Sequence, residues 1–205
     1  MNYIAVEKEL KKRDIRVFTP LEFQRIFRVS YNNSKSFINR NLKRGLLIKL
    51  KNGLYALAGV NLPKFFIANK LYAPSYVSFE TALSYYHMIP ETVYTILSAT
   101  TKASREFEAE ESNFIFHRVK KEVFFGYIPK KINNIVVLIA EPEKALLDYS
   151  YFVLLKKKTF NDRLNIKNIS KIKLLKYAKH FKKDKLIQLI KGLYDKQKFN
   201  RGINA

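Results

Sequence analysis

Phe18 to Leu57 reads FTPLEFQRIFRVSYNNSKSFINRNLKRGLLIKLKNGLYAL. Thr19 is suited to a helix N-cap, Pro20 to the first helical position, and Glu22 to the return bond of a capping box. Leu21, Phe23, Ile26 and Phe27 supply the apolar side of a helix of about two turns. Val29 to Asn33 reads as a polar turn. A second helix is expected from Ser34 to Arg44, closed by Gly45 just past its end. Phe37, Ile38 and Leu42 are its apolar side, which leaves Ser34, Lys35, Ser36, Asn39, Arg40 and Lys43 outside. Leu46 to Leu50 and Leu54 to Ala58 then read as two strands. Between them, Lys51-Asn52-Gly53 forms a tight turn, because Asn and Gly both tolerate positive φ.

Two helices, a glycine and a hairpin in this order predict a winged helix-turn-helix. The outer face of the second helix combines short polar side chains with basic ones. Arg is geometrically matched to guanine and Asn to adenine. Arg40 and Asn39 are therefore the candidate base readers, with Ser34, Lys35, Ser36 and Lys43 beside them. Lys49, Lys51 and Asn52 are placed on or near the hairpin tip, where a wing reaches along a duplex. A protein-binding module or adaptor whose winged helix does not read DNA is the competing interpretation. Upstream, Tyr3, Val6 and Leu10 fall at helical spacing and predict a short amphipathic helix from Tyr3 to Arg13.

Charge placement favours a polyanion. The 205-residue chain holds 39 Lys and Arg against 17 Asp and Glu. Residues 1–60 carry 13 basic and 4 acidic side chains, residues 61–150 carry 10 and 10, and residues 151–205 carry 16 and 3. Each phosphate contacted by a cation releases condensed counterion, so basic ends around a neutral middle fit nucleic-acid binding. The composition is 47% hydrophobic and 14% aromatic, which excludes a disordered tail. No apolar run is long enough for a transmembrane helix, and Met1 to Arg13 lacks the apolar core of a secretory signal. The chain has no cysteine, which excludes disulfides and thiolate metal sites and fits a reducing cytoplasm.

Residues 61–155 read as a mixed α/β domain. Lys64 to Tyr72 predicts a helix, and Tyr76-Val77 leads into another with Phe79, Ala82, Leu83 and Tyr86 at helical spacing. Strands are expected over Thr92–Thr101, Asn113–Val119, Glu122–Ile128 and Ile135–Ala140, with Lys102 to Ser112 as a charged loop. Glu141-Pro142-Glu143 opens a further helix, with acids where its dipole favours them. Glu80, His87, His117, Glu141, Glu143, Lys144 and Asp148 are the polar residues to weigh for catalysis. Lys144 and Asp148 have the spacing of an i, i+4 ion pair, and His87 sits at a helix end. Three His without Cys or metal-ligand spacing do not suggest a metal, and no phosphate loop or nucleophile motif occurs. A scaffold without catalytic machinery, metal or cofactor is expected.

The stretches Tyr76–Leu83 (YVSFETAL), His87–Glu91 (HMIPE), Phe114–Val119 (FIFHRV) and Ile139–Asp148 (IAEPEKALLD) resemble the AbiEi family of antitoxins. The resemblance covers roughly Thr19 to Phe152. It implies an N-terminal winged helix-turn-helix followed by an α/β domain. It also implies a repressor that binds inverted repeats at its own promoter and counters a nucleotidyltransferase-type toxin in a type IV toxin–antitoxin system. The Lys-rich end departs from that pattern.

Residues 156–205 read as a basic helical hairpin packed on the second domain. Ser170 caps its first helix, with Ile172, Leu174, Leu175, Ala178 and Phe181 inward. Lys182-Lys183-Asp184 marks the turn, and Leu186, Ile187, Ile190, Leu193 and Tyr194 form the second apolar stripe. The chain after Lys198 is expected to fray. Lys171, Lys173, Lys176, Lys179, Lys182 and Lys183 could form a solvated face, a second phosphate-contacting surface, a membrane-surface helix or a dock for an acidic groove on a toxin. The expected class is thus α+β.

Overall fold

The computed structural model describes the backbone of residues 1–203 and side chains through Asp195. Helix α1 (Tyr3–Lys12) is followed by the short strand β1 (Val17–Phe18), then by α2 (Pro20–Phe27) and α3 (Tyr31–Lys43). Strands β2 (Leu47–Lys51) and β3 (Leu54–Leu57) form the hairpin. Next come α4 (Lys64–Leu71), β4 (Ser75–Val77), α5 (Phe79–Tyr85), β5 (Ile96–Thr100), β6 (Arg105–Ala109) and β7 (Ser112–Arg118). A 3₁₀ turn at Lys121–Val123 precedes β8 (Tyr127–Ile132) and β9 (Ile135–Ala140). Three helices close the described chain: α6 (Pro142–Leu154), α7 (Lys171–Lys179) and α8 (Asp184–Ile203). The class is α+β, with a three-stranded antiparallel sheet in the order β1-β3-β2 and a six-stranded mixed sheet in the order β6-β7-β5-β4-β9-β8.

Local sequence chemistry explains most of the boundaries. The capping box forms as expected: Thr19 Oγ1 accepts from the Glu22 amide at 3.2 Å, and Glu22 accepts from the Thr19 amide at 2.7 Å. Phe23 is fully buried beneath α2 and stacks on Phe37 of α3, with Ile26 and Phe27 half-buried. Leu21 was expected inward but is 54% exposed, because the i, i+3, i+4 set starting at Phe23 already fills that face. Gly53 at φ +77° closes the hairpin. Its two sides serve different cores. Leu47, Tyr55 and Leu57 pack with α1, α2 and α3, whereas Ile48, Leu50, Leu54 and Ala56 pack with α4 and the large sheet.

In the large sheet three expectations change. Lys102–Ser112 is not a loop: Arg105–Ala109 is an edge strand paired antiparallel with β7 through a Glu110-Glu111 turn. Glu106 and Glu108 face solvent and alternate with Phe107 and Ala109, which turn inward, but the pattern is short and set among charged residues. Glu122–Ile128 is not one strand. The 3₁₀ turn and Gly126 at φ +70° delay β8 until Tyr127, and the Gly126 carbonyl accepts from the Glu141 amide at the start of α6. The strand expected from Thr92 begins only at Ile96.

Helix α6 is buried at every position from Glu143 to Ser150, with the sheet and α5 on one side and α7 and α8 on the other. The last two described helices form the expected hairpin, with Leu174, Ala178, Phe181, Leu186, Ile190 and Leu193 buried. Ile172 departs from its expected place and is 84% exposed, because the buried stripe runs through Leu174 and Ala178. The chain after Lys198, expected to fray, is helical in its backbone as far as Ile203, and its side chains lie outside those described. Among the described residues no helix is long and apolar enough to cross a membrane.

Candidate nucleic-acid interface

Helix α3 starts three residues earlier than its apolar pattern suggests. Ser30, in extended backbone, accepts from the Asn33 amide at 3.3 Å and is the N-cap. Of the segment expected as a turn, Tyr31, Asn32 and Asn33 are therefore helical and join the exposed face, whereas Val29 and Ser30 remain outside the helix. The signal was Ser30, a good N-cap residue two positions before Asn32. Lys35, Ser36, Asn39, Arg40 and Lys43 are exposed on α3 as expected. Ser34 is not. It is fully buried and its hydroxyl points to the Pro20 carbonyl at 3.4 Å, so it serves α2–α3 packing and cannot touch a base. No acidic residue lies on α3. Arg40 sits over the Phe37 ring at 5.9 Å and Lys35 over Tyr31 at 5.8 Å, contacts that restrain long side chains while leaving their charges outward.

The hairpin residues divide. Lys49 and Asn52 are exposed. Lys51 turns inward: its ammonium donates to the Leu71 carbonyl and lies 5.6 Å from the centroid of Phe107 on β6. Burial pushes its pKa down, with Lys102 and Arg105 adding repulsion. Lys51 is thus not a freely projecting tip residue.

The C-terminal lysines divide as well. Lys171, Lys176, Lys179, Lys182 and Lys183 are exposed. Lys173 is not available in the same way. Its ammonium donates to Glu141 at 2.7 Å and lies 3.2 Å from Glu143, which fastens α7 to the start of α6. Burial alone would lower its pKa, but hydrogen bonds to Glu141 and Glu143 hold it above the ordinary value. Tyr177 donates to the other Glu141 oxygen at 2.7 Å.

The polar residues of the middle block join structural contacts. Lys144 and Asp148 do pair at i, i+4, but with both side chains at 0% exposure rather than on a helix surface. Asp148 also accepts from the Tyr76 hydroxyl at 3.0 Å and the Ser78 hydroxyl at 2.8 Å. Burial pushes the Lys144 pKa down, against the pull of Asp148. The rings of Tyr76, Phe125 and Phe181 lie 5.1–5.6 Å from its ammonium. Glu80 pairs with Lys158 at 2.7 Å, and His87 is exposed just past the end of α5. His117 sits against Phe79 and Phe152, and burial, reinforced by Lys158 and Lys157, lowers its pKa to about 4. Among the described residues no three His, Asp or Glu side chains gather as a metal site requires.

Compared with known proteins, the chain matches no family model and no curated protein.

Proposed function

We propose that this chain is a DNA-binding transcriptional repressor and antitoxin. In this reading α2, α3 and the β2–β3 hairpin are a winged helix-turn-helix, and the protein autoregulates a toxin–antitoxin operon. The observation that carries the DNA half is the exposed face of α3. It displays Asn32, Asn33, Lys35, Ser36, Asn39, Arg40 and Lys43 with no carboxylate among them. Such a face offers bidentate partners to base edges and cations to phosphates. Arg40 and Asn39 are assigned to base edges, and Lys35, Lys43 and Lys49 to backbone phosphates. The antitoxin half is supported by the YVSFETAL, HMIPE, FIFHRV and IAEPEKALLD stretches and by what they imply: inverted repeats as operator and a nucleotidyltransferase-type toxin as the protein countered. The chain acts by binding, not by catalysis.

A mobility-shift titration with the DNA upstream of the gene tests the first half. Binding is expected to weaken with salt by about 0.9 log unit per log unit of salt for each phosphate contacted. Asn39→Ala with Arg40→Ala should relax sequence preference by about 1–3 kcal/mol per lost base contact. Retained promoter preference in that double variant would exclude α3 as the reader. Co-expression with the neighbouring toxin-like gene product tests the second half, with rescue of growth as the expected result.

A further inference from the structure

The inward turn of Lys51 opens onto a cleft of about 660 Å³ between the hairpin and the edge of the large sheet. Lys49 and Lys51 come from β2, Lys70 from α4, Lys102 from the β5–β6 connection and Arg105 from β6. Glu108 is the one carboxylate on its lining. Among the described residues none of the five cations is in an ion pair. Five like charges facing one concavity repel one another, so the fold must hold them by other means. Two aromatic rings hold three of them, while Lys70 lies over a third ring, 5.4 Å from the Phe66 centroid. Arg105 and Lys51 lie 5.3 and 5.6 Å from the Phe107 centroid, Lys102 lies 5.3 Å from the Tyr72 centroid, and those two rings are 5.6 Å apart. Attraction of cations to ring faces keeps the charges together without neutralising them. A solvated Lys face has no need of such an arrangement.

We propose that this cleft binds consecutive phosphate groups. A single carboxylate cannot balance five cations, whereas a run of phosphates brings a negative charge per group and many acceptor oxygens in a small volume. Two sources share that chemistry: the backbone of a duplex held by α3, or the phosphate chain of a free nucleotide. The first source rests on the DNA-binding reading; the cleft itself does not. Because one wall is the hairpin and the other is β6, an anion in the cleft bridges the N-terminal helical unit to the large sheet. The bulk of this charge lies on residues outside the helix-turn-helix stretch, at Lys70, Lys102 and Arg105.

Lys102→Ala with Arg105→Ala tests this in the full chain, since both residues are exposed and meet the core only across the outer faces of the Tyr72 and Phe107 rings. Glu108→Gln, also exposed, acts in the opposite direction. Inorganic pyrophosphate at millimolar concentration should raise the melting temperature of the parent chain by about a few degrees, by selective binding to the folded state. The double variant should lose that rise and Glu108→Gln should enlarge it. If the duplex is the source, the double variant should lower the salt slope on promoter DNA by about 2 and weaken binding about tenfold at low salt, with sequence preference kept. A lost pyrophosphate response with an unchanged duplex slope assigns the free phosphate chain. A parent chain that binds no duplex removes the DNA reading and leaves the pyrophosphate arm to decide the cleft alone. The proposal is overturned if the double variant equals the parent chain in both readouts, or if the parent chain shows neither response.

Discussion

Replacing Asp148 by Asn and Lys144 by Met, singly and together, probes the pair at the centre of α6. Both side chains are at 0% exposure, and Asp148 accepts from three donors: Lys144, Tyr76 and Ser78. Asp148→Asn keeps an acceptor for the two hydroxyls but leaves the ammonium without an anion, among aromatic rings. Losing one partner of a buried pair costs about 3–5 kcal/mol. The Lys144 pKa is already pushed down by burial, so the amine can lose its proton and hold the cost toward the lower end of that range. Lys144→Met removes the cation, and the carboxylate keeps two hydroxyl donors; a cost of about 2–4 kcal/mol is expected. The double variant has no charge to strand, its amide still accepts from Tyr76 and Ser78, and Met fills the methylene stem's volume. It should lose only about 1–2 kcal/mol, giving a coupling of several kcal/mol between the two sites. Urea denaturation followed by circular dichroism measures each corner of the cycle, with m-values checked for constancy. Singles that cost under about 1 kcal/mol, or a double variant that costs their sum, would refute the reasoning, because the pair would then be solvated or uncoupled.

Other perturbations give equally direct outcomes. His117 keeps a lowered pKa of about 4 in the fold against 6.5 when unfolded. The unfolded chain therefore binds the extra proton first, and stability present above pH 6.5 is lost as pH falls toward 4, by about 1–2 kcal/mol once solvent screening at a half-buried site is allowed for. His117→Phe should flatten that part of a stability–pH curve, and an unchanged curve would exclude His117 as its source. Ser34→Ala should leave DNA preference intact while Asn33→Ala weakens it, measured by competition with mutated operators; the reverse order would contradict the register of α3. Lys173→Met should raise amide hydrogen exchange in α7 by unfastening it from Glu141 and Glu143, yet leave the salt slope of DNA binding as it was. Gly53→Ala should destabilise by about 1 kcal/mol through its positive φ alone, because its Cβ would meet open space; a neutral result in thermal denaturation would contradict the turn geometry.

Legibility in the sequence followed how local each determinant was. Thr19 and Glu22 specify the start of α2 within four residues, and Asn52-Gly53 specifies the hairpin within two, so both were readable. The start of α3 was read late because Tyr31, Asn32 and Asn33 look like a polar turn, and only packing against Pro20 decides that Ser34 goes inside. Strand β6 was hidden because its alternation spans only Glu106 to Ala109 and sits among charged residues: Phe107 and Ala109 turn inward between exposed carboxylates. The i, i+4 spacing of Lys144 and Asp148 was visible, but their burial was not, since it depends on α7 and α8 covering a helix that is enclosed on all sides. The same holds for the cleft. Lys51, Lys70, Lys102 and Arg105 are up to 54 positions apart in the chain and meet only through the sheet order.

The hairpin that closes the first sixty residues has no side given wholly to water. Leu47 and Leu57 belong to the small core, Leu50, Leu54 and Ala56 to the large one. Cutting the chain after residue 60 would strip the second group of its cover and leave a twisted two-faced ribbon with one greasy surface bare. The isolated fragment should self-associate or need solubilising substitutions at Leu50 and Leu54, even with its helices intact. The N-terminal unit is therefore not a detachable head: its hairpin is held in place by the body behind it.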